Sequence, residues 1–239
     1  MLNMLIIDDE ISCIKKLISY IFKNEENVRL LDIASNGIEA LEILDKNKAD
    51  IILLDLKMSK MNGINLIEKL ERQKLKIYEK SIIVITAEDV MLQKIIKSPL
   101  IYSYQLKPIE QDNLLKDIND IVREKSLIEK NEKLDKKIVS ELKYLNYNLT
   151  HLGTQYLKEW IKIDFLKYEG EAENLSKQIY PIIAKKYKKK VFSIKNNIIK
   201  ATSYMYNECK IEILMKYFGY DIDYKPTPKT VIKAIVRKL

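Results

Sequence analysis

The chain has 239 residues, a length that suits one large domain or two small ones. Apolar residues make up 47% of it, enough for a packed core, and no run of eighteen apolar residues is present to span a membrane. The net charge of +8 is uneven: residues 1–121 carry 17 basic against 20 acidic side chains, and residues 122–239 carry 25 against 14. We expect the basic half to meet a polyanion, although a solvated lysine-rich surface would give the same counts.

The N-terminus and the cysteines indicate a cytoplasmic protein. The first residues, MLNMLIIDDE, have no basic lead and no small-residue cleavage site, so we expect no signal peptide. Cys13 and Cys209 lie far apart and have no Cys or His neighbour at metal-ligand spacing. We expect both to be buried thiols.

Short apolar runs alternate with amphipathic helical patterns in the first half. The runs cover residues 5–8, 30–34, 51–55, 82–86 and 101–106. Helical spacing of apolar residues is clearest over residues 11–22 and 37–44. Near-continuous apolar strands that alternate with helices predict a parallel sheet covered on both faces. Five such units match an α/β flavodoxin-like domain with strand order 2-1-3-4-5.

Polar side chains end four of these predicted strands. The first ends in Asp8 and Asp9, the third in Asp55, the fourth in Thr86 and the fifth in Lys107. The carboxyl ends of parallel strands form the ligand-binding edge of such a sheet, so these side chains should converge. Three carboxylates raise one another's pKa unless a cation lies among them, and oxygen ligands suit Mg²⁺. With Lys107 as a movable positive charge, the cluster predicts phosphoryl transfer to Asp55.

The segments LIIDDE, IILLDLKM followed by Gly63, ITA and YQLKP resemble response-regulator receiver domains, and the resemblance covers about residues 1–122. It implies that Mg²⁺ binds Asp9, Asp55 and the backbone carbonyl of Lys57, with Asp8 acting through water. The chain departs from the family in the loop after the acceptor. The family usually has a proline after the methionine, where this chain has Ser59.

The same resemblance assigns switch roles. It implies that Thr86 hydrogen-bonds the phosphoryl group while Tyr104 swings inward, and that Lys107 bridges to the phosphate. It also implies that the peptide bond from Lys107 to Pro108 is cis. A histidine kinase or phosphotransfer protein would be the phosphoryl donor.

A charged helical stretch follows the receiver-like half. Five apolar residues recur in it at roughly heptad spacing: Leu127, Leu134, Ile138, Leu142 and Leu145. A solvated connector helix is favoured over a short coiled coil, because the heptads are few and imperfect. We predict a receiver over residues 1–122, a helical linker over 123–135 and an all-helical effector domain over 136–239.

Residues 174–207 contain eight lysines and no acidic residue. Two helical patterns, over residues 175–187 and 192–207, flank the lysine run. Two helices around a short basic turn predict a helix-turn-helix, and a solvated basic loop is the alternative. The expected DNA contacts are Lys188, Lys189, Lys190, Ser193, Lys195, Asn196, Asn197 and Lys200.

The segments HLGTQYL, QIYPIIAKKY and KYFGYDIDYKPTP resemble the effector domain of the stage-zero sporulation response regulator of endospore-forming bacteria, over about residues 136–239. The resemblance implies a six-helix DNA-binding domain, contact with an RNA polymerase sigma factor and paired binding to repeated boxes. It also implies that Pro181 is tolerated within a helical pattern. The family typically reads Ser-Arg-x-Glu-Arg-x-x-Arg-His where this chain reads FSIKNNIIK. The guanine-gripping arginines are absent, and Asn196 or Asn197 would favour adenine, so we predict a paralogue.

Together these features predict a phosphorylation-controlled, DNA-binding transcriptional regulator, with homodimerisation on phosphorylation and no membrane partner. An RNA-binding antiterminator is the alternative, although its effectors are small three-helix bundles. We expect no enzymatic output, because the second half has no phosphate-cradling glycine loop and no His/carboxylate cluster.

Overall fold

The structure, a computed structural model, describes residues 1–73, 81–87, 89–168, 175–219 and 224–239. It divides into two compact units, Met1–Leu127 and Ile128–Leu239. Among the residues described, no helix combines the length and the apolar character that crossing a bilayer requires.

The N-terminal unit is a five-stranded parallel sheet with helices on both faces. Its elements are β1 (Leu2–Ile7), α1 (Ile11–Asn24), β2 (Val28–Ala34), α2 (Gly37–Lys46), β3 (Ile51–Asp55), α3 (Gly63–Arg72), β4 (Ile82–Thr86), α4 (Asp89–Ile95), β5 (Ile101–Leu106) and the start of α5 (Gln111–Tyr144). The strand order is β2-β1-β3-β4-β5, and every pairing is parallel. The predicted flavodoxin-like fold is therefore confirmed.

Alternation along the strands divides the apolar side chains between two cores. Met4 and Ile6 of β1 pack with residues of α1 and α5, whereas Leu5 and Ile7 pack with residues of α2, α3 and α4. Strands β3 and β4 are buried at every position because neighbouring strands and helices cover them on all sides. The carboxyl ends of these two central strands therefore place their polar residues at one fixed edge.

The predicted strands agree with the observed ones except at both ends of β1, which stops at Ile7 rather than Asp8, and at the amino end of β2. Strand β1 begins at Leu2 and strand β2 at Val28, earlier than their apolar runs begin. Leu2 and Val28 pair with each other in register. Strand β2 lies at the sheet edge with several exposed positions, so its sequence is not continuously apolar.

The C-terminal unit is all-helical in the residues described. Besides the end of α5, it contains α6 (Leu152–Tyr168), α7 (Leu175–Gln178), α8 (Tyr180–Tyr187), α9 (Val191–Glu208), α10 (Ile211–Phe218) and α11 (Pro228–Val236). Trp160 and Tyr156 of α6 are its largest fully buried side chains. Gly153 of α6 lies so close to α9 that a Cβ there would stand 2.1 Å from the carbonyl oxygen of Asn197.

The heptad-like residues in α5 and directly after it have a different role from the one predicted. Leu134, Ile138, Leu142 and Leu145 are buried in the core of the C-terminal unit. This part of the stretch is neither a solvated connector nor a coiled-coil seam, because its apolar side chains pack inside their own domain. Apolar spacing alone cannot separate a coiled-coil seam from a helix packed in its own domain, since both require one apolar helix face.

Gly63 and Gly37 give a matched test of close packing in the N-terminal unit. Each is the first residue of a helix, but a Cβ at Gly63 would meet the backbone oxygen of Asp55 at 2.6 Å. A Cβ at Gly37 would meet the Met61 side chain, with its Cγ at 2.7 Å. Since the thioether can move and the backbone cannot, Gly63→Ala should lower the free energy of unfolding by about 1–3 kcal/mol and Gly37→Ala by less.

Urea unfolding of the full chain, followed by far-UV circular dichroism, measures both variants. Equal losses in the two variants would contradict the packing difference.

Candidate phosphoacceptor site and nucleic-acid interface

One ammonium group joins two buried carboxylates at the carboxyl edge of the sheet. Lys107 Nζ donates to Asp55 Oδ2 at 2.7 Å and to Asp8 Oδ2 at 3.0 Å. Asp55 ends the central strand β3, Asp8 directly follows β1, and Lys107 directly follows β5. The parallel topology thus brings into contact three residues that lie up to 99 positions apart.

Lys107 and Asp55 each favour the charged form of the other. Burial raises the pKa of the Asp55 carboxyl above its ordinary value, although the bonds from Lys107 and from the backbone N–H of Lys57 oppose that rise. Burial alone would lower the pKa of Lys107, but its bonds to Asp55 and Asp8 outweigh burial and raise it. Lys107 therefore carries its positive charge throughout the physiological pH range.

The loop after β3 holds the remaining acid. The backbone N–H of Ser59 donates to Asp9 Oδ2 at 3.1 Å, and the backbone N–H of Lys57 donates to Asp55 Oδ1 at 3.1 Å. A proline in place of Ser59 could not donate this bond, because proline has no N–H. The departure from the family at Ser59 therefore gives this chain an extra restraint on Asp9, which the sequence pattern alone did not reveal.

The donor set at this edge fits a hard cation such as Mg²⁺. Asp8, Asp9 and Asp55 contribute only carboxylate oxygens, and the Lys57 carbonyl would complete the set that the sequence predicts. In the described part of the chain, no three His, Cys, Asp or Glu side chains are already arranged around one metal position. The Asp9 carboxylate is bonded to the Ser59 N–H, and the Lys107 ammonium is bonded to Asp8 and Asp55. These groups would therefore rearrange around a bound ion.

The predicted switch residues lie on neighbouring strands but in different environments. Thr86 is fully buried at the end of β4, and its carbonyl accepts a 2.8 Å bond from the backbone N–H of Lys107. Tyr104 on β5 is 47% exposed. The peptide bond from Lys107 to Pro108 is cis, as the family resemblance implies.

Cys13 lies close to the acid site. Burial, followed by the nearby charge of Asp8, raises the pKa of its half-buried thiol to about 11. The thiol is therefore neutral at physiological pH. Cys209 is buried, and burial also raises the pKa of its thiol.

In the C-terminal unit, α8 and α9 flank a three-residue lysine turn. The predicted first helix is split: α7 ends at Gln178, and α8 begins again at Tyr180 with Pro181 in its first turn. Proline is tolerated there because the first N–H groups of a helix have no intrahelical acceptor. Lys188 ends α8 in the left-handed conformation, at φ 52°, which turns the chain into α9.

Helix α9 has distinct inner and outer faces. Its buried residues are Ile194, Ile198, Ala201, Thr202 and Met205. All five predicted lysine contacts are exposed: Lys188, Lys189, Lys190, Lys195 and Lys200. Ser193, Asn196 and Asn197 are half-buried.

The two asparagines of α9 are not equivalent. Asn197 Nδ2 donates to the Ser193 carbonyl at 2.8 Å, within the same helix, and the Asn197 backbone faces Gly153 of α6. Asn196 lies nearer the middle of the exposed face, 100° away around the helix axis. The predicted contact at Asn196 is therefore compatible with its place on the helix, whereas the Asn197 amide is already bonded within α9.

Comparisons with known proteins find two family matches. Residues 4–119 match the response regulator receiver domain, and residues 138–239 match the sporulation initiation factor Spo0A C terminal. The N-terminal half is also similar to three solved receiver domains. The receiver domain of AraT, a response regulator from Geobacillus stearothermophilus, is 26% identical over 54% of this chain and 98% of that chain, with a TM-score of 0.47.

The other two solved receiver domains have slightly lower sequence identities to this chain. The Francisella response regulator 1452 receiver domain is 25% identical over 52% of this chain and 99% of its own, with a TM-score of 0.45. The response regulatory domain of mrkE from Klebsiella pneumoniae is 20% identical over 51% and 95%, with a TM-score of 0.45.

Replacing Lys107 with methionine tests the charge balance at the acid edge. Without the ammonium, burial and Asp8 should raise the pKa of Asp55 further. A carboxyl whose pKa in the folded state exceeds its unfolded value stabilises the fold at low pH and loses that contribution as pH rises through the folded pKa. Lys107→Met should therefore be nearly as stable as the wild type near pH 4 and lose about 3 kcal/mol by pH 7.

Thermal unfolding in EDTA-containing buffer between pH 4 and pH 7 measures this effect. Lys69→Met, the same change at an exposed position of α3, is the control. A loss that stays constant across this pH range would refute the proposed coupling between Lys107 and Asp55.

Proposed function

Because the chain is a response regulator that joins a receiver domain to a C-terminal domain of the Spo0A family, we propose that phosphorylation of Asp55 controls its binding to duplex DNA. The observation that carries this proposal is the Lys107 ammonium group bonded to both Asp55 and Asp8 at the carboxyl edge of the sheet. A carboxylate beside a fixed cation can attack phosphorus and have the added negative charge neutralised.

The transfer step uses Asp55 as the nucleophile. A carboxylate oxygen of Asp55 attacks the phosphorus of a phosphohistidine on a kinase or phosphotransfer protein. The new O–P bond forms as the P–N bond breaks, and the imidazole leaves with the electron pair and takes up a proton. Lys107, already bonded to Asp55, then pairs with a phosphoryl oxygen.

A divalent cation would be held by Asp8, Asp9, Asp55 and the Lys57 carbonyl. When bound, Mg²⁺ neutralises phosphate oxygens during transfer. The Ser59 N–H keeps the Asp9 carboxylate oriented through its 3.1 Å bond before the cation arrives.

Phosphorylation is read out through strands β4 and β5. Thr86 lies buried at the carboxyl end of β4, and its backbone is bonded to that of Lys107, so its hydroxyl is the proposed donor to the phosphoryl group. Tyr104 on β5 has an exposed side chain. We propose that this side chain turns inward as Thr86 moves. Such a change shifts the population towards a form that dimerises or frees the effector domain.

Duplex DNA is the proposed target of the C-terminal unit. The lysines at 188–190 would contact phosphates, while α9 enters the major groove with Ser193, Lys195, Asn196 and Lys200 towards the bases and the flanking backbone. Asn197, bonded inside its own helix, would hold Ser193 in place. The match to a sporulation initiation factor further supports a link to sporulation. We also propose contact with an RNA polymerase sigma factor, paired binding on repeated boxes and action in the cytoplasm.

An RNA-binding antiterminator is the competing function. The match of residues 138–239 to a sporulation factor favours DNA. Comparing the affinities for duplex DNA and hairpin RNA at equal salt decides between them, because steep salt dependence is common to both.

Asp55→Asn tests the phosphorylation step. The amide is not a nucleophile towards phosphorus, so the variant should take up no phosphoryl group from acetyl phosphate and Mg²⁺. Its DNA affinity should not respond to the donor, whereas that of the wild type should rise. Intact-protein mass spectrometry and DNA-binding titrations measure the two effects.

Asp45→Asn, the same change on the exposed side of α2, is the control and should behave as the wild type. A donor-dependent gain in DNA affinity by Asp55→Asn would sink the proposal.

Changing the three lysines at 188–190 to glutamine tests the phosphate contacts. Each lost contact should reduce the slope of log affinity against log salt by about 0.9, so the triple variant should lose up to about 3 units. Its affinity should fall for every duplex sequence, because phosphate contacts carry no base information. Lys23, Lys46 and Lys69, exposed in the N-terminal unit, provide a control triple variant with the same change in charge. Equal slopes for the two variants would place the DNA contacts elsewhere.

A further inference from the structure

The outer face of α9 carries two large apolar side chains. Phe192 is 73% exposed and Ile199 is 40% exposed. The two residues are seven positions apart, about 10 Å along the helix axis, and their directions around the axis differ by only about 20°. Lys195, Asn196 and Ser203 lie within about 60° of Phe192 on the same face. We refer to these five residues as the outer stripe.

The core of the C-terminal unit does not use the apolar members of the outer stripe. Residues 194, 198, 201 and 205 face inward and supply the contribution of α9 to that core. In the part of the chain that the structure describes, Phe192 and Ile199 belong neither to the buried cluster nor to the partly buried side chains packed against it. Exposed apolar residues so close together on one helix face indicate a binding surface.

The surrounding charge identifies the class of partner. Lys195 and Lys200 are exposed beside the two apolar side chains, and residues 188–190 add three more exposed lysines just before α9. No acidic residue occurs between residues 174 and 207. A polyanion satisfies this charge, whereas an apolar protein partner would leave the lysines near the interface without counter-charges.

The bases offer one strong apolar group in the major groove, the C5-methyl of thymine. We propose that Phe192 and Ile199 contact thymine methyl groups in the major groove, so that the outer stripe selects A·T base pairs. Asn196 lies between them and has the amide geometry that pairs with an adenine edge. This inference rests on the proposed DNA-binding function and specifies its target.

Contact with thymine methyl groups accounts for the unusual composition of the outer stripe. Guanine recognition needs arginine or lysine directed at the O6 and N7 atoms, and the one basic member of the outer stripe, Lys195, lies at its edge. Two apolar side chains with an amide between them match a thymine–adenine surface over about three base pairs, given 3.4 Å per base pair. Reading by methyl contact needs no buried charge and so leaves the lysines free for phosphates.

Replacing thymine with deoxyuridine provides a direct test. Deoxyuridine lacks the C5-methyl but keeps the hydrogen-bonding edges of thymine. The full chain, with acetyl phosphate and Mg²⁺, is used to select duplexes from a random pool. The selected duplex is then synthesised with deoxyuridine at each thymine in turn.

We expect enrichment of A·T-rich sequences and a threefold to fivefold loss of affinity for each contacted methyl that is removed, about the effect of one buried methylene. Phe192→Ala and Ile199→Ala should each weaken binding to the thymine duplex. Each should also abolish discrimination between thymine and deoxyuridine at one position.

Ile211→Ala removes an apolar side chain of α10 whose exposure lies between those of Phe192 and Ile199, and this variant should keep full discrimination. Circular dichroism checks that each variant keeps its helical content.

Failure of the proposed DNA binding and failure of the proposed methyl contacts give different results in these experiments. A wild-type chain that enriches no sequence and binds no duplex overturns the proposed function and this inference together. A chain that binds a selected duplex but ignores loss of every methyl overturns the inference alone. Phe192→Ala and Ile199→Ala variants that both retain full discrimination also overturn it, because the methyl contacts would then come from other residues.

Discussion

The Lys107 ammonium group is the interaction on which the N-terminal unit is organised. It offsets the repulsion between two carboxylates that the fold buries within hydrogen-bonding distance of the same atom. Strands β1, β3 and β5 must all end at the same edge for this contact to exist, so sheet topology and site chemistry depend on each other. The arrangement also leaves the site responsive, because any new anion bonded to Asp55 competes for the same ammonium.

Much of this edge could be predicted from the sequence, because parallel topology leaves few alternatives. Once the apolar runs identify the strands, the strand order requires Asp8, Asp55, Thr86 and Lys107 to meet. Which oxygen bonds to which nitrogen could not be predicted. The bond from Ser59 to Asp9 is an example, because it depends on a loop conformation that only tertiary contacts fix.

The C-terminal unit shows a different limit of sequence reasoning. An apolar residue in an amphipathic helix is normally assigned to the core, and Phe192 and Ile198 look alike by that criterion. Only the packing of neighbouring helices against α9, that of α6 above all, separates them, since it fixes which side of α9 faces inward. The prediction for the heptad-like part of α5 was wrong for the same reason. Its spacing indicates an apolar helix face but does not identify the surface that packs against that face.

Gly153 has a consequence for how this protein can change over time. Because α6 approaches α9 at a glycine, the inner face of α9 tolerates little variation, and its position is set by packing. The outer residues carry almost none of that constraint, so they can be exchanged with little loss of stability. Under the proposed function, binding preference and folding are therefore separable traits in this domain. Duplicated copies of such a gene could acquire new target sites through a few substitutions while every copy still folds.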